Sequence, residues 1–460
     1  MSIDPVLARV DADLDASLAR LFDLVRLKSI SADPAFAADV RATGEHCVKL
    51  LADLGFEASL RETPFHPIVV AHWKGAVEND ARHVLFYGHY DVQPVDPLEL
   101  WHADPFDPKV EERDGVKVVT GRGSADDKGQ FLIFIEAMRA LLAEEGRLPV
   151  RVTLLLEGEE ESGSPSLEPF LEAHAAELSH DLALVCDTNM WARGRPAITT
   201  SLRGLVGEEV KIACADRDLH SGLFGGPAWN PIRVLTKILA SLHDDDGRVT
   251  LPGFYDGVDD LPAEVDASWR ALGATEESFL GPVGLKTAAG EKGRSVLEQI
   301  WARPTCEFNG VTGGYTGDGF KTVLPAKASA KVSFRLVGGQ DPEKIRAAFR
   351  ARVTSMLPPD ATVTFHAHGG SAGFTMPFDS PVLDAARRAL GDEWNVPALM
   401  TGMGGTIPVG NAFAKYLGMP TLFVGFGLDD DRIHSPNEKY DLESFHKGIR
   451  SWARILKNLA

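Results

Sequence analysis

At 460 residues, of which 44% are hydrophobic, the chain exceeds one ordinary domain and carries enough apolar material for two cores. Its 47 Lys and Arg against 66 Asp and Glu give a net charge of −19, which repels nucleic acid and anionic membranes and points to a small-molecule or peptide ligand. Cys47, Cys186, Cys214 and Cys306 are scattered without a Cys-x-x-Cys pair, so neither a thiolate zinc site nor a disulfide framework is indicated, and reduced thiols are expected.

The opening stretch MSIDPVLARVDADLDASLARLFDLVRLKSIS lacks a basic segment followed by an apolar one, and no later apolar run is long enough to span a bilayer. A cytoplasmic protein is expected. Val6, Leu7, Val10, Leu14, Leu18, Leu21, Phe22 and Val25 recur at helical spacing and predict an amphipathic helix. From about residue 80, short apolar runs alternate with helical segments: HVLFYGH, DKGQFLIFIEAMRALLAEEG, VRVTLLLEGEE, SLEPFLEAHAAEL and DLALVCD. This alternation predicts an α/β domain with a mainly parallel sheet.

From roughly 203 to 368 the texture changes, with strands in LVGEEVKIACA, KASAKVSFRLV and ATVTFHAH and helices in NPIRVLTKILASLH and PEKIRAAFRARVTSML. A smaller α+β domain inserted into the first is expected there, after which a helix in SPVLDAARRALG and a strand in PTLFVGFG resume the α/β pattern. The acidic runs HDDDG (243–247) and DDDR (429–432) read as solvated loops rather than metal sites. GGYTGDGFKT is not a phosphate-binding loop, because Phe320 rather than Gly precedes Lys321.

In open α/β sheets ligands bind at the carboxyl ends of strands. There the sequence places His89 and Asp91, Glu159 to Glu161, Asp187 and, further on, His434; Asp126 sits in a Gly-rich turn facing the same edge. Two imidazoles with at least three carboxylates suit zinc, manganese or cobalt, and such acids crowd together at high cost without a cation. Asp91, two residues after His89, is expected to accept a hydrogen bond from the second imidazole nitrogen.

The ordered motifs GHYDVQP, GRGSADDKG, LEGEEESGS, VCDT and HSPNE resemble the M20 metallopeptidases, in particular the carnosinase-like or cytosolic non-specific dipeptidase branch, over nearly the whole chain. The resemblance implies a catalytic domain over 1–202 and 369–460 with an inserted ferredoxin-like lid and dimerisation domain over 203–368. It implies two divalent ions, Zn2+ first and Mn2+ or Co2+ as alternatives, bridged by Asp126 and a water. His89 and Asp187 would complete one set of ligands, Glu161 and His434 the other, and Glu160 would be the general base. It further implies a homodimer in which His220 reaches the partner's site. Arg335 and the turn Gly404, Gly405 and Thr406 would hold a substrate carboxylate.

The expected activity is therefore hydrolysis of dipeptides or short peptides with a free C-terminal carboxylate. Met403 departs from the branch, which commonly carries an acidic residue before the Gly-Gly pair. That departure brings in N-acyl amino acids as the alternative substrates. A non-catalytic binding protein of the same fold is the third reading, opposed by the presence of all five ligands and Glu160.

Overall fold

Near-continuous apolar runs form strands that are buried on both faces, the environment of a parallel sheet covered by helices. In the computed structural model, which describes residues 2–77, 81–405 and 408–460, His83–His89, Arg151–Glu157 and Leu182–Val185 are such strands. The chain divides into two units: Met1–Thr200 with Met376–Thr401 and Ala412–Ala460, and Ser201–Thr375 with Gly402–Asn411.

In the first unit the sheet runs Phe56–Arg61, Ile68–Trp73, Arg151–Glu157, His83–His89, Leu182–Val185, Thr421–Phe423 and Ala197–Leu202. The four strands from Arg151–Glu157 to Thr421–Phe423 pair in parallel, and the strands outside them are antiparallel. Helix Lys128–Glu145 is buried nearly all round from Lys128 to Leu141, which explains its lack of a polar face, and Gly146 ends it at φ +68. Phe134 of this helix stacks on Phe86 of the strand at 3.7 Å, and Trp452 of helix Leu442–Leu459 meets both edge-on. That second helix buries Phe445, Ile449, Trp452, Leu456 and Leu459, an apolar stripe at helical spacing.

The predicted N-terminal helix is two, Asp4–Ala12 and Leu14–Val25, divided at Asp13; Leu14 and Phe22 are only half-buried. A small antiparallel sheet of Lys109–Arg113, Val116–Thr120 and Lys439–Asp441 also belongs to this unit. Its hairpin turns at Asp114-Gly115, both with positive φ, the geometry a two-residue hairpin loop requires.

The second unit contains a four-stranded antiparallel sheet in the order Thr305–Gly313, Lys327–Leu336, Gly204–Ala213, Thr362–Ser371. With helices Pro231–Ala240 and Pro342–Ser355 between strands, the chain order is β-α-β-β-α-β, the ferredoxin-like arrangement. Val206, Val210, Ile212, Leu235, Ile238, Phe334, Phe349 and Val353 form its core. Glu208, buried among them, is neutralised by Arg346 at 2.6 Å and Arg350 at 2.7 Å, as a buried carboxylate requires. Among the described residues no helix is long and apolar enough to cross a membrane.

Candidate metal centre

The carboxyl ends of the parallel strands in the first unit collect the predicted groups. His89 ends its strand, Asp187 follows Leu182–Val185 by two residues, Glu160 and Glu161 open a short turn after Arg151–Glu157, and Asp126 lies just before helix Lys128–Glu145. His434 comes from the loop beyond Thr421–Phe423, where Arg432, His434 and Asn437 all adopt φ near +60. Asn437 secures that loop by accepting the His102 N–H at 2.7 Å and donating to the Leu100 carbonyl at 2.8 Å.

Asp126 is shared. Its Oδ1 lies 3.1 Å from His89 Nε2, and its Oδ2 lies 3.0 Å from His434 Nε2. His434 Nε2 also lies 3.2 Å from Glu161 Oε2, and His89 Nε2 lies 4.0 Å from Asp187 Oδ2. Two groups result, His89 with Asp126 and Asp187, and Asp126 with Glu161 and His434; in each, the ligand atoms lie within 4.8 Å of one another. Imidazole nitrogen with carboxylate oxygen is the donor chemistry of borderline divalent ions, so these residues fit two ions sharing Asp126.

The charges show what such ions would relieve. Burial and the charge of Asp126 push Asp187 up to about 7, and burial with the neighbouring Asp187, Glu161 and Asp126 pushes Glu160 up to about 8 against the pull of His89. Hydrogen bonds to Asp126 and Glu161 raise His434 to about 10. Burial alone would raise Asp126, yet His434 and His89 together hold its carboxyl well below the ordinary range. Imidazoles and carboxylates thus offset one another's charge, and a divalent cation held by the same atoms would serve that balance in place of protons.

Asp91 has more partners than His89 alone. His89 Nδ1 donates to the Asp91 backbone carbonyl at 3.2 Å, with the carboxylate Oδ1 at 3.4 Å. The Asp91 carboxylate also accepts the backbone N–H of Glu160 at 3.2 Å and of Glu161 at 3.1 Å, so it orients the turn carrying both. Gln93, given no role in the sequence reading, donates from Nε2 to Glu161 Oε2 at 2.7 Å. Asp127 was likewise passed over; its buried carboxylate accepts the His89 N–H at 3.1 Å.

Glu157 and Glu159 have structural partners. Tyr87 and Ser164 donate to Glu157, which burial raises to about 7. Glu159 accepts from Thr63 Oγ1, His66 N, Ser166 N and Ser166 Oγ.

Arg335, His220, Gly404 and Gly405 belong to the second unit, and Thr406 lies outside the described residues. Arg335 and Arg203 line a cavity of about 630 Å³ with Arg303, Glu307 and His243. Burial first and then the charge of Arg335 lower Arg203 to about 10. Arg203 donates from Nε to the Gly404 carbonyl and from its backbone N–H to the Gly405 carbonyl, both at 3.1 Å. His220 is exposed, and its Nδ1 accepts the Gly222 N–H at 3.0 Å.

The sequence pattern described as Peptidase family M20/M25/M40 matches residues 85–458. The Cys-Gly metallodipeptidase dug1 of Schizosaccharomyces pombe is 30% identical, with 100% of this chain and 99% of the relative covered. The Beta-Ala-His dipeptidase of Homo sapiens is 31% identical over 82% of this chain and 75% of its own length. Among solved structures, the M20 family metallo-carboxypeptidase Sso-CP2 from Sulfolobus solfataricus superposes with a TM-score of 0.78 at 30% identity, covering 96% of this chain and 99% of that one.

Proposed function

Because the chain belongs to peptidase family M20/M25/M40, with dipeptidases among its relatives, we propose that it hydrolyses the amide bond of dipeptides bearing a free C-terminal carboxylate. The observation that carries the reading is the pair of ligand groups sharing Asp126, with Glu160 in the adjoining turn. His89, Asp126 and Asp187 would hold one ion and Asp126, Glu161 and His434 the other, with Zn2+ first and Mn2+ or Co2+ as alternatives. Such ions acidify a water and polarise a carbonyl at neutral pH.

The chain's own residues do the rest. Asp91 holds the Glu160–Glu161 turn and His89, while Gln93 fixes the Glu161 carboxylate. Glu160, whose backbone N–H is fixed by Asp91 in the turn beside Glu161, takes the proton of the attacking water on its carboxylate and delivers it to the leaving amine nitrogen. Arg335, with Arg203 beside it, is the site for the substrate carboxylate; the charge of Arg335 adds to burial in lowering Arg203, and an anion beside the two guanidinium groups would relieve that repulsion.

A homodimer in which His220 serves the partner's site is part of the same reading. Its support is the exposed apolar set following His220, namely Leu223, Phe224 and Trp229, together with Phe308 and Val311 on the edge strand Thr305–Gly313. A cytoplasmic location fits the four free cysteines.

Met403 favours a second reading, deacylation of N-acyl amino acids, because a free α-amino group finds no counter-charge there. A panel of Cys-Gly, β-Ala-His, tripeptides, C-terminally amidated dipeptides and N-acetyl and N-succinyl amino acids separates the two. Dipeptides are expected to lead, with amidation lowering kcat/KM by about 10- to 100-fold, the range of a lost charge-assisted contact. Preference for acylated amino acids would replace the dipeptidase reading with the second one.

A further inference from the structure

We propose that Glu438 is a positioning residue for the metal pair, acting through the turn that delivers Asp126. The proposal rests on the dinuclear reading above. The Glu438 side chain is fully buried, and both of its oxygens are occupied. Oε2 accepts the Gly123 N–H at 3.0 Å and Arg122 Nη1 at 2.8 Å; Oε1 accepts the Ala125 N–H at 2.9 Å and the Asp126 N–H at 3.2 Å. Three backbone N–H groups of one turn therefore converge on a single carboxylate that lies 312 residues from Asp126 in sequence.

The surroundings hold both partners in place. Lys439, the next residue, pairs with Thr120 in the small sheet, and the Gly121 N–H donates to the Glu438 carbonyl at 3.2 Å. Arg122 is itself buried, with Nη2 on the Pro94 carbonyl at 3.1 Å and its guanidinium over the Trp101 ring. Gly123 has φ +83, and a Cβ there would stand 2.6 Å from Val92 Cγ1, so the turn's path admits only glycine.

An ionised carboxylate offers about four acceptor positions and no donor, which matches the four N–H groups aimed at it. A glutamine in its place turns an NH2 group toward N–H donors and releases part of the turn. Asp126 must present one oxygen toward His89 and the other toward His434, so a shift of its backbone disturbs both ion sites together. Loss of a ligand belonging to one site would not do that.

The test is Mn2+ titration of the chelated full-length protein by calorimetry, with electron paramagnetic resonance reading the exchange-coupled pair. Glu438→Gln, shown to be folded by circular dichroism, is expected to weaken both affinities about 10- to 100-fold and to replace the coupled signal with that of isolated Mn2+. Glu438→Asp, which keeps the acceptor chemistry on a shorter arm, recovers part of the loss. Arg122→Gln, which disturbs one of the four donors, produces a smaller loss at both sites. Unchanged Mn2+ affinity in folded Glu438→Gln, or loss at one site alone, overturns the proposal. Should Glu438→Gln fail to fold, unchanged affinity in Arg122→Gln overturns it equally. Mn2+ binding is read directly, so absence of dipeptide turnover in the unaltered protein would count against the dipeptidase reading and leave this result standing.

Discussion

Asp126 bears opposite demands on its two oxygens, each facing an imidazole, and the neighbouring acids divide into groups with distinct partners. The run Glu157, Glu159, Glu160 and Glu161 is stable because it is not four equivalent charges. Glu157 shares hydrogen bonds with Tyr87 and Ser164, Glu159 is enclosed by four donors, Glu161 is held by Gln93, and burial raises the Glu160 carboxyl, a cost that bound cations would offset. Glu160→Gln is therefore expected to lower kcat by about 100-fold or more, the range of a lost general base, while both ions stay bound. Metal analysis beside the rate measurement decides it: loss of an ion from this variant would make Glu160 a ligand. Four of the candidate ligands were open to view in sequence because each is a His or acid at a strand end or helix start, whereas His434 lies in a loop well beyond Thr421–Phe423. The roles of Glu157, Glu159 and Gln93 were not, since Tyr87, Thr63 and Glu161 reach them only through the fold.

Elements with one strong period were the readable ones. The apolar runs His83–His89, Arg151–Glu157 and Leu182–Val185 became central strands. The strand Thr305–Gly313 escaped notice because it is a polar, mostly exposed edge with a register shift between Phe308 and Gly310. The DDDR run misleads in a similar way. Asp431 is buried and bonds to Lys439 Nζ and the Leu428 N–H, so it is an internal anchor, although Asp430 is largely exposed. The edge at which the parallel strands begin also holds an unforeseen cluster, to which the antiparallel strand Ile68–Trp73 brings its far end. His72, His83 and His180 all contact Thr153 Oγ1 at 2.9 to 3.0 Å, and His83 stacks on His180. Burial and adjacent cationic groups lower His83 and His180 from 6.5 to about 4. In the window between those values the unfolded chain binds more protons than the folded one. The stability that neutral imidazoles contribute is complete above 6.5 and is lost as pH falls toward 4. Urea midpoints measured across this window should fall less steeply for His180→Gln than for the unaltered protein; parallel curves would show that the pair does not titrate with unfolding.

At the scale of the whole molecule, a net charge of −19 coexists with a local concentration of arginines in the second unit, so the proposed recognition of a substrate carboxylate would depend on local rather than overall charge. The α/β and α+β textures were legible because their hydrophobic periods differ, whereas the joining of Gly402–Asn411 to the second unit depends on contacts that no local pattern records. The proposed dimer makes a prediction that only an assembly can meet. Glu160→Gln and His220→Ala should each be nearly inactive, yet random subunit exchange places one whole site in about half of the dimers and should restore about a quarter of the unaltered activity. No recovery after demonstrated exchange would place His220 in its own subunit's service. The most direct test of the dinuclear reading is stepwise return of Zn2+ or Mn2+ to chelated protein, with bound metal counted by mass spectrometry while dipeptide hydrolysis is followed. Hydrolysis should be absent without metal and reach its maximum as occupancy approaches two ions per chain, one for each ligand group; turnover by the metal-free protein, or a maximum already reached with one ion per chain, would contradict it.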